Sequence, residues 1–202
     1  MALRVGIAGL RRGLGPGRIF NVLPECQLVA GCDPDAAKRE QVESDFPGIR
    51  TFADYQDMLD WGLDIVMVAT PMPLHAVQTV AALEAGCHVL QEVTLAQTLD
   101  ECRQIARAVK AHPKQKFMLA ENNCYLGHIM SWKRMWEDGL LGDFMYAEAE
   151  YVHDIRSLLR KPDGSPTWRA SRPPIVYCTH SLGPLMKVTG ERCTLALGLN
   201  TG

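Results

Sequence analysis

Glycine crowds a short stretch directly behind an apolar run: Val5-Gly6-Ile7-Ala8 leads into Gly9-Leu10-Arg11-Arg12-Gly13-Leu14-Gly15. Glycines let a backbone turn sharply and approach a ligand with no Cβ in the way. Pro16 follows, a residue favoured in a first helical turn, and predicts a helix starting near Gly15. The free N–H groups and positive dipole end of such a helix face the turn, where an anion is best accommodated. A second apolar run, Gln27 to Cys32, ends on Asp33, about 20 residues beyond the turn. A carboxylate there accepts hydrogen bonds from ribose hydroxyls and repels an extra phosphate. Strand, glycine turn, helix, strand and terminal acid, in this order, predict a dinucleotide site that takes NAD rather than NADP. A strict G-x-G-x-x-G starting at Gly9 needs glycine where Arg11 and Leu14 stand. Arg11 either offers its guanidinium to a pyrophosphate or crowds it.

Further residues with chemistry to offer sit where apolar runs end: Thr70-Pro71, His75, Glu92 and Asn122, with His180 later in the chain. Each has a plain alternative. Thr70-Pro71 also reads as a strand stop, because proline ends ladder pairing. His75 reads equally as a solvent-facing residue at a helix start, and Glu92 as the partner of a nearby cation. Asn122 could serve loop backbone groups, and His180 a cap or a core. His153 and Asp154 are adjacent on an expected strand, so their side chains should face opposite ways, and neither is placed in the site.

The elements that position these residues follow from the pattern. Apolar strands are expected at Val5–Ala8, Gln27–Cys32, Ile49–Phe52, Asp64–Ala69, His88–Leu90 and Lys116–Ala120. Helices are expected between them at Asp35–Asp45, Asp54–Leu59 with Asp54 as cap, Leu74–Gly86 and Leu99–Ala111. Strands alternating with amphipathic helices specify a doubly wound parallel sheet, whose ligands bind beyond the carboxyl ends of the strands. From Ser131 the pattern changes. A helix over Ser131–Asp138, a weakly alternating strand over Phe144–Val152, a loop over Lys161–Pro174, a helix over His180–Thr189 and a strand over Cys193–Leu199 are expected. Two strands and two helices leave a sheet face and an edge uncovered, so this second domain reads as cut short.

Composition narrows the functional classes. The 202 residues are 47% hydrophobic, ample for a core, and a formal net charge of −2 gives no reason to expect nucleic acid or an anionic membrane. No apolar stretch reaches the roughly 18 residues a bilayer span requires. The first strand starts almost at Met1, so no signal peptide is expected. The seven cysteines include no C-x-x-C pair, which fits reduced thiols in a cytoplasmic protein with no metal site.

Several motifs in order resemble the Gfo/Idh/MocA oxidoreductases over the whole chain: Val5–Gly15, Cys32-Asp33-Pro34-Asp35, Ala69-Thr70-Pro71, Leu74-His75, Ala82–Leu90 and Gln91-Glu92. The resemblance implies an N-terminal Rossmann domain followed by an α/β domain with an open, mostly antiparallel sheet. It also implies hydride transfer between NAD(P) and a sugar or polyol. Most of those dehydrogenases carry Glu-Lys-Pro after the fifth strand, with the lysine at the reacting hydroxyl. Here the tripeptide is Glu92-Val93-Thr94. Glu121–Tyr125, Tyr151–Arg156, Trp168-Arg169 and Tyr177-Cys178-Thr179-His180-Ser181-Leu182-Gly183-Pro184 are similar to the NAD-dependent glycoside hydrolases of that family. Those enzymes share the Glu-Val pair and a Tyr-Pro-Thr-His-Gly-Leu-Gly-Pro segment, in which Cys178 and Ser181 depart.

That branch implies oxidation of a sugar 3-hydroxyl, elimination across C2–C1, addition of water and re-reduction, a recognised exception to two-carboxylate glycosidases. Carried onto this sequence, Gly9, Arg11, Arg12, Gly13, Asp33, Thr70, Pro71, Met72, Leu74, His75, Glu92, Val93 and Asn122 line the cofactor. Tyr151, Arg169, Tyr177 and His180 hold the sugar. Tyr177, His180 and Glu92 are the catalytic candidates, an imidazole suiting proton transfer near neutrality.

The expectation is therefore a Rossmann domain over 1–122, the start of a carbohydrate-binding domain over 123–202, and self-association through the open sheet. Plain dehydrogenation of a sugar or polyol, and nucleotide binding without catalysis, stay open beside the glycosidase-like reading.

Overall fold

Continuous apolar runs cannot leave one face to water, so they pair where both faces are covered. Six runs do so in the structure, a computed structural model describing residues 2–199. They are β1 Leu3–Ala8, β2 Cys26–Cys32, β3 Arg50–Phe52, β4 Ile65–Val68, β5 His88–Gln91 and β6 Phe117–Leu119. All pair in parallel, in one sheet of order β3-β2-β1-β4-β5-β6. The order reverses between β1 and β4, which puts a crevice at their carboxyl ends. Side chains alternate between two cores: Val5, Ile7 and Met67 enter one, Ala8, Val66 and Val68 the other, all fully buried. Withdrawing a side chain of this size from water stabilises by about 1.5–3 kcal/mol.

Five helices link these strands: α1 Leu14–Gly17, α2 Ala36–Asp45, α3 Tyr55–Leu59, α4 His75–Glu84 and α5 Leu99–Ala111. Their starts are written in the sequence. The Asp35 carboxylate accepts the Ala37 and Lys38 N–H groups, and Asp54 does the same for Gln56 and Asp57. Thr98 and Glu101 form a reciprocal capping box at α5. The helix expected from Gly15 is a single α-turn, Leu14–Gly17, continued by a 3-10 turn over Arg18–Val22. Gly15, Pro16 and Gly17 are too poor in helix propensity to sustain more.

The chain divides into two compact units, Met1–Ala120 and Glu121–Gly202. In the second, a 3-10 turn over Asn122–Tyr125 precedes α6 (Gly127–Glu137), which starts at Gly127 rather than at Ser131, and α7 spans Thr179–Thr189. Residues 144–152 and 193–199, expected as strands, carry no strand, and the expected antiparallel sheet is not formed among the described residues. Alternation decides which face a strand would bury, but a strand exists only where another edge pairs with it.

Candidate functional site

The turn after β1 works through a different set of glycines from the strict template. Gly9 has φ +90°, and a Cβ there would sit 2.6 Å from the Ala69 carbonyl oxygen. Only glycine fits that conformation at that distance. Gly13 donates its N–H to the Gly9 carbonyl at 2.9 Å, and Gly17 donates to Gly13 at 2.7 Å. The chain therefore winds one turn per glycine, at i, i+4 and i+8, and lays a side-chain-free face on Ile7, which a Cβ at Gly13 or Gly17 would strike. Arg11 and Arg12 are both exposed on this turn.

Asp33 closes this turn as well as ending β2. One carboxylate oxygen accepts the Leu10 N–H at 3.0 Å and the other accepts the Asp35 N–H at 3.0 Å. Arg39 braces the corner by donating to the carbonyl oxygens of Asp33 (2.7 Å) and Pro34 (3.0 Å). Beside it, burial and the Asp33 charge push the Cys32 thiol up to about 11. A bare backbone cradle with a fixed carboxylate about 20 residues on is what a dinucleotide's diphosphate and adenosine ribose require, so these residues fit NAD.

Beyond β4 and β5 the polar groups turn inward. His75, 1% exposed, has Nδ1 2.8 Å from the Thr94 carbonyl oxygen and Nε2 2.9 Å from that of Thr70. Gln91, fully buried, accepts from the Thr79 hydroxyl at 2.6 Å and donates to the Leu95 carbonyl at 2.7 Å. These bonds tie the Thr70–His75 turn to the loop carrying Glu92, Val93 and Thr94. The His75 ring is thus committed to the scaffold, and the buried Met72 side chain likewise lies inside. Pro71 and Leu74 are exposed, and Thr70 and Val93 half-buried. Glu92 continues the ladder through its N–H to the Val68 carbonyl (2.8 Å), and its carboxylate accepts Arg12 Nε–H at 2.8 Å.

In the second unit, Glu121 and His180 form a buried pair, with Nδ1 2.6 Å from the carboxylate oxygen Oε1 and side chains 8% and 7% exposed. An ionised carboxylate can only accept, so Nδ1–H donates to it. Oε1 also accepts the Asn123 N–H at 3.1 Å, while Oε2 is buried with no partner among the described residues. The Tyr151 and Tyr177 rings pack on the imidazole at centroid distances of 4.5 and 5.1 Å. Tyr151, His180 and Tyr177, three of the four expected sugar-binding residues, therefore cluster. Arg169 stacks on Trp168 at 4.3 Å, and Asn122 is exposed in its 3-10 turn.

Two further residues build this pair. Pro184, four beyond His180 inside α7, has no N–H for the His180 carbonyl, and the Asn123 side chain donates to it instead at 3.3 Å. Gly183 lets α7 lie on Glu121, whose Cγ would be 2.9 Å from a Cβ there. Glu121 and Gly183 lie in the motifs quoted above without a role of their own, and Gly17 is in none of them. A glycine in a helix interior, costing about 1 kcal/mol against alanine, was the available signal for Gly183.

Residues 3–120 match the family described as "Oxidoreductase family, NAD-binding Rossmann fold", Gfo/Idh/MocA. The chain belongs to the Gfo/Idh/MocA family. A glycosyl hydrolase family 109 protein of Shewanella pealeana is 30% identical to this Gfo/Idh/MocA chain over 199 residues, covering 91% of the chain and 43% of that protein. One from Solibacter usitatus is 37% identical over 127 residues, 61% of the chain and 29% of that protein. The crystal structure of myo-inositol 2-dehydrogenase from Lactobacillus plantarum superposes with a TM-score of 0.67 at 29% identity, over 72% of this chain and 44% of that one. The chain spans less than half the length of these relatives.

Proposed function

We propose that the chain carries the NAD-binding unit and part of the sugar-holding residues of an enzyme acting on a sugar or glycoside by oxidation, elimination, hydration and re-reduction. The buried Glu121–His180 pair, flanked by Tyr151 and Tyr177, carries this reading. Val93 in place of the lysine of plain dehydrogenases supports it, as does similarity to proteins named glycosyl hydrolase family 109.

Bound NAD supplies reversible acceptance of a hydride from the sugar C3. Gly9, Gly13 and the exposed Arg11 and Arg12 hold its diphosphate, and Asp33 its adenosine ribose. Thr70, Pro71, Leu74 and Val93 border the remaining half, with Met72 and His75 acting through backbone and scaffold; Asn122 is assigned to the cofactor by motif. Once C3 is a ketone, the proton on C2 is acidic. His180 Nε2 is the group that takes a proton, and Glu121 stabilises the imidazolium so formed. Departure of the C1 substituent leaves a C1–C2 double bond, to which water adds. Tyr151, Tyr177 and Arg169 hold the sugar ring and its hydroxyls.

Incubating the chain with NAD and aryl glycosides in deuterium oxide tests the reading. Deuterium entering at C2 without net NADH is expected, and its loss in His180→Phe and Tyr177→Phe. Stoichiometric NADH without C2 exchange would establish plain dehydrogenation instead, the reading favoured by the likeness to an inositol dehydrogenase.

Self-association belongs to this proposal. Exposed Met145, Val152, Leu197 and Leu199 offer it apolar surface, and sedimentation measures it. No helix among the described residues is long and apolar enough to cross a membrane.

A further inference from the structure

In the sheet, β4 lies between β1 and β5. Arg12 follows β1 and Glu92 follows β5, so their 2.8 Å ion pair reaches across the carboxyl end of β4. With Asp33 marking the adenosine half of the crevice, the pair spans the half left for the second nucleotide. Its partners differ sharply in freedom. The Glu92 side chain is 10% exposed and its other oxygen accepts the Val93 N–H at 3.3 Å, whereas Arg12 is 65% exposed and Glu92 is the partner its guanidinium meets. An exposed guanidinium on a glycine turn is cheap to move; the carboxylate is fixed.

We propose that Arg12 is a transferable cation: it closes on Glu92 in the free protein and passes to the diphosphate of an entering dinucleotide. The transfer uncovers the Glu92 carboxylate, which then favours the cationic oxidised nicotinamide over the neutral reduced one. The inference rests on the NAD reading of the crevice and adds to it a charge exchange that selects the cofactor's redox state. Three observations support it: the pair crosses the crevice, only one partner is free to move, and Arg12 starts from the turn that cradles the diphosphate.

Calorimetric titration with NAD+, NADH and ADP-ribose separates the roles, because ADP-ribose carries the diphosphate without the ring. The wild-type chain is expected to bind NAD+ about tenfold more tightly than NADH, the scale of one charge pair in a partly hydrated site. In Glu92→Gln that ratio falls to about twofold, mainly by loss of NAD+ affinity, while ADP-ribose binds at least as well as before, because Arg12 no longer has to be released. Arg12→Met weakens all three ligands alike, by about tenfold, as loss of a charge-assisted phosphate contact does. An unchanged NAD+/NADH ratio in Glu92→Gln, with binding intact, overturns the proposal and leaves the cofactor reading standing. So does unchanged ADP-ribose affinity in Arg12→Met, an arm that stands even where Glu92→Gln does not fold. A folded wild-type chain that binds none of the three overturns both.

Discussion

Up to Ala120 the interior is mostly Val, Ile, Leu, Met and Ala side chains at or near zero exposure, joined by the equally buried His75, Thr79 and Gln91. From Glu121 onward the residues most withdrawn from water are Ile129, Pro184, Glu121 and His180. The first unit is an apolar sheet core that carries one buried polar group, His75, Thr79 and Gln91, beyond β4 and β5. The second closes around a hydrogen-bonded acid and imidazole with little apolar material behind them. A core of the first kind tolerates loss of a polar contact at its edge, because the transfer of apolar area is untouched. A core of the second kind does not, because removing one partner strands the other without water.

The largest effect should therefore fall on Glu121. Glu121→Ala is expected to cost about 3–5 kcal/mol, as breaking a buried pair does, and to do so in the second unit alone. Hydrogen exchange read by mass spectrometry checks this: amides of α7 lose protection while those of β4 and β5 keep it. Loss in both would break the contrast. The double variant Glu121→Leu/His180→Leu should regain much of the loss, since no charge is left stranded.

Next comes Gly9→Ala, which forces an alanine to φ +90° against the Ala69 carbonyl. A loss of about 2–4 kcal/mol in urea unfolding is expected, confined to the first unit, together with loss of NAD binding.

The third effect depends on pH. Burial raises the Cys32 and Cys87 thiols from 9.0 to about 11. The native state then holds these protons more tightly than the unfolded chain. The stability they contribute is intact below pH 9 and lost as pH rises to about 11, on the order of 1–2 kcal/mol each. Urea unfolding of the wild type and of Cys32→Ala/Cys87→Ala at pH 8 and pH 10.5 isolates the thiols, as the variant lacks this share of the decline.

Smallest is the bond from Asn123 to the His180 carbonyl. Asn123→Ala should cost about 1 kcal/mol in the wild type and close to nothing once Pro184→Ala restores a backbone N–H for that carbonyl. Equal costs in both backgrounds would mean the proline does not create the need for Asn123.

The same contrast explains what the sequence disclosed. Strands of a parallel sheet announce themselves as unbroken apolar runs, so Val5–Ala8 and Asp64–Ala69 were legible, and Asp54 marked its helix by side-chain chemistry. Asp33 was legible as the residue that ends β2, where its carboxylate accepts the Leu10 and Asp35 N–H groups. Arg11 and Leu14 looked like damage to the turn only because the template fixed glycine by position; spacing by helical turns makes Gly13 and Gly17 the residues that matter. Alternation over residues 144–152 and 193–199 described strand faces with no edge to pair with. Glu121 was hidden because its importance lies in a contact 59 residues away with His180, which no local pattern encodes. The inward turn of His75 was hidden too, since the Thr70 and Thr94 carbonyls that take it appear only once β4 and β5 are side by side.

The most direct test of the account is calorimetric titration of the purified chain with NAD and, separately, NADP, alongside Asp33→Ala. The account predicts that NAD binds, that NADP binds at least tenfold more weakly because it brings a phosphate to the Asp33 carboxylate, and that Asp33→Ala narrows the gap. Equal affinity for both dinucleotides, or binding of neither by a folded chain, would contradict it.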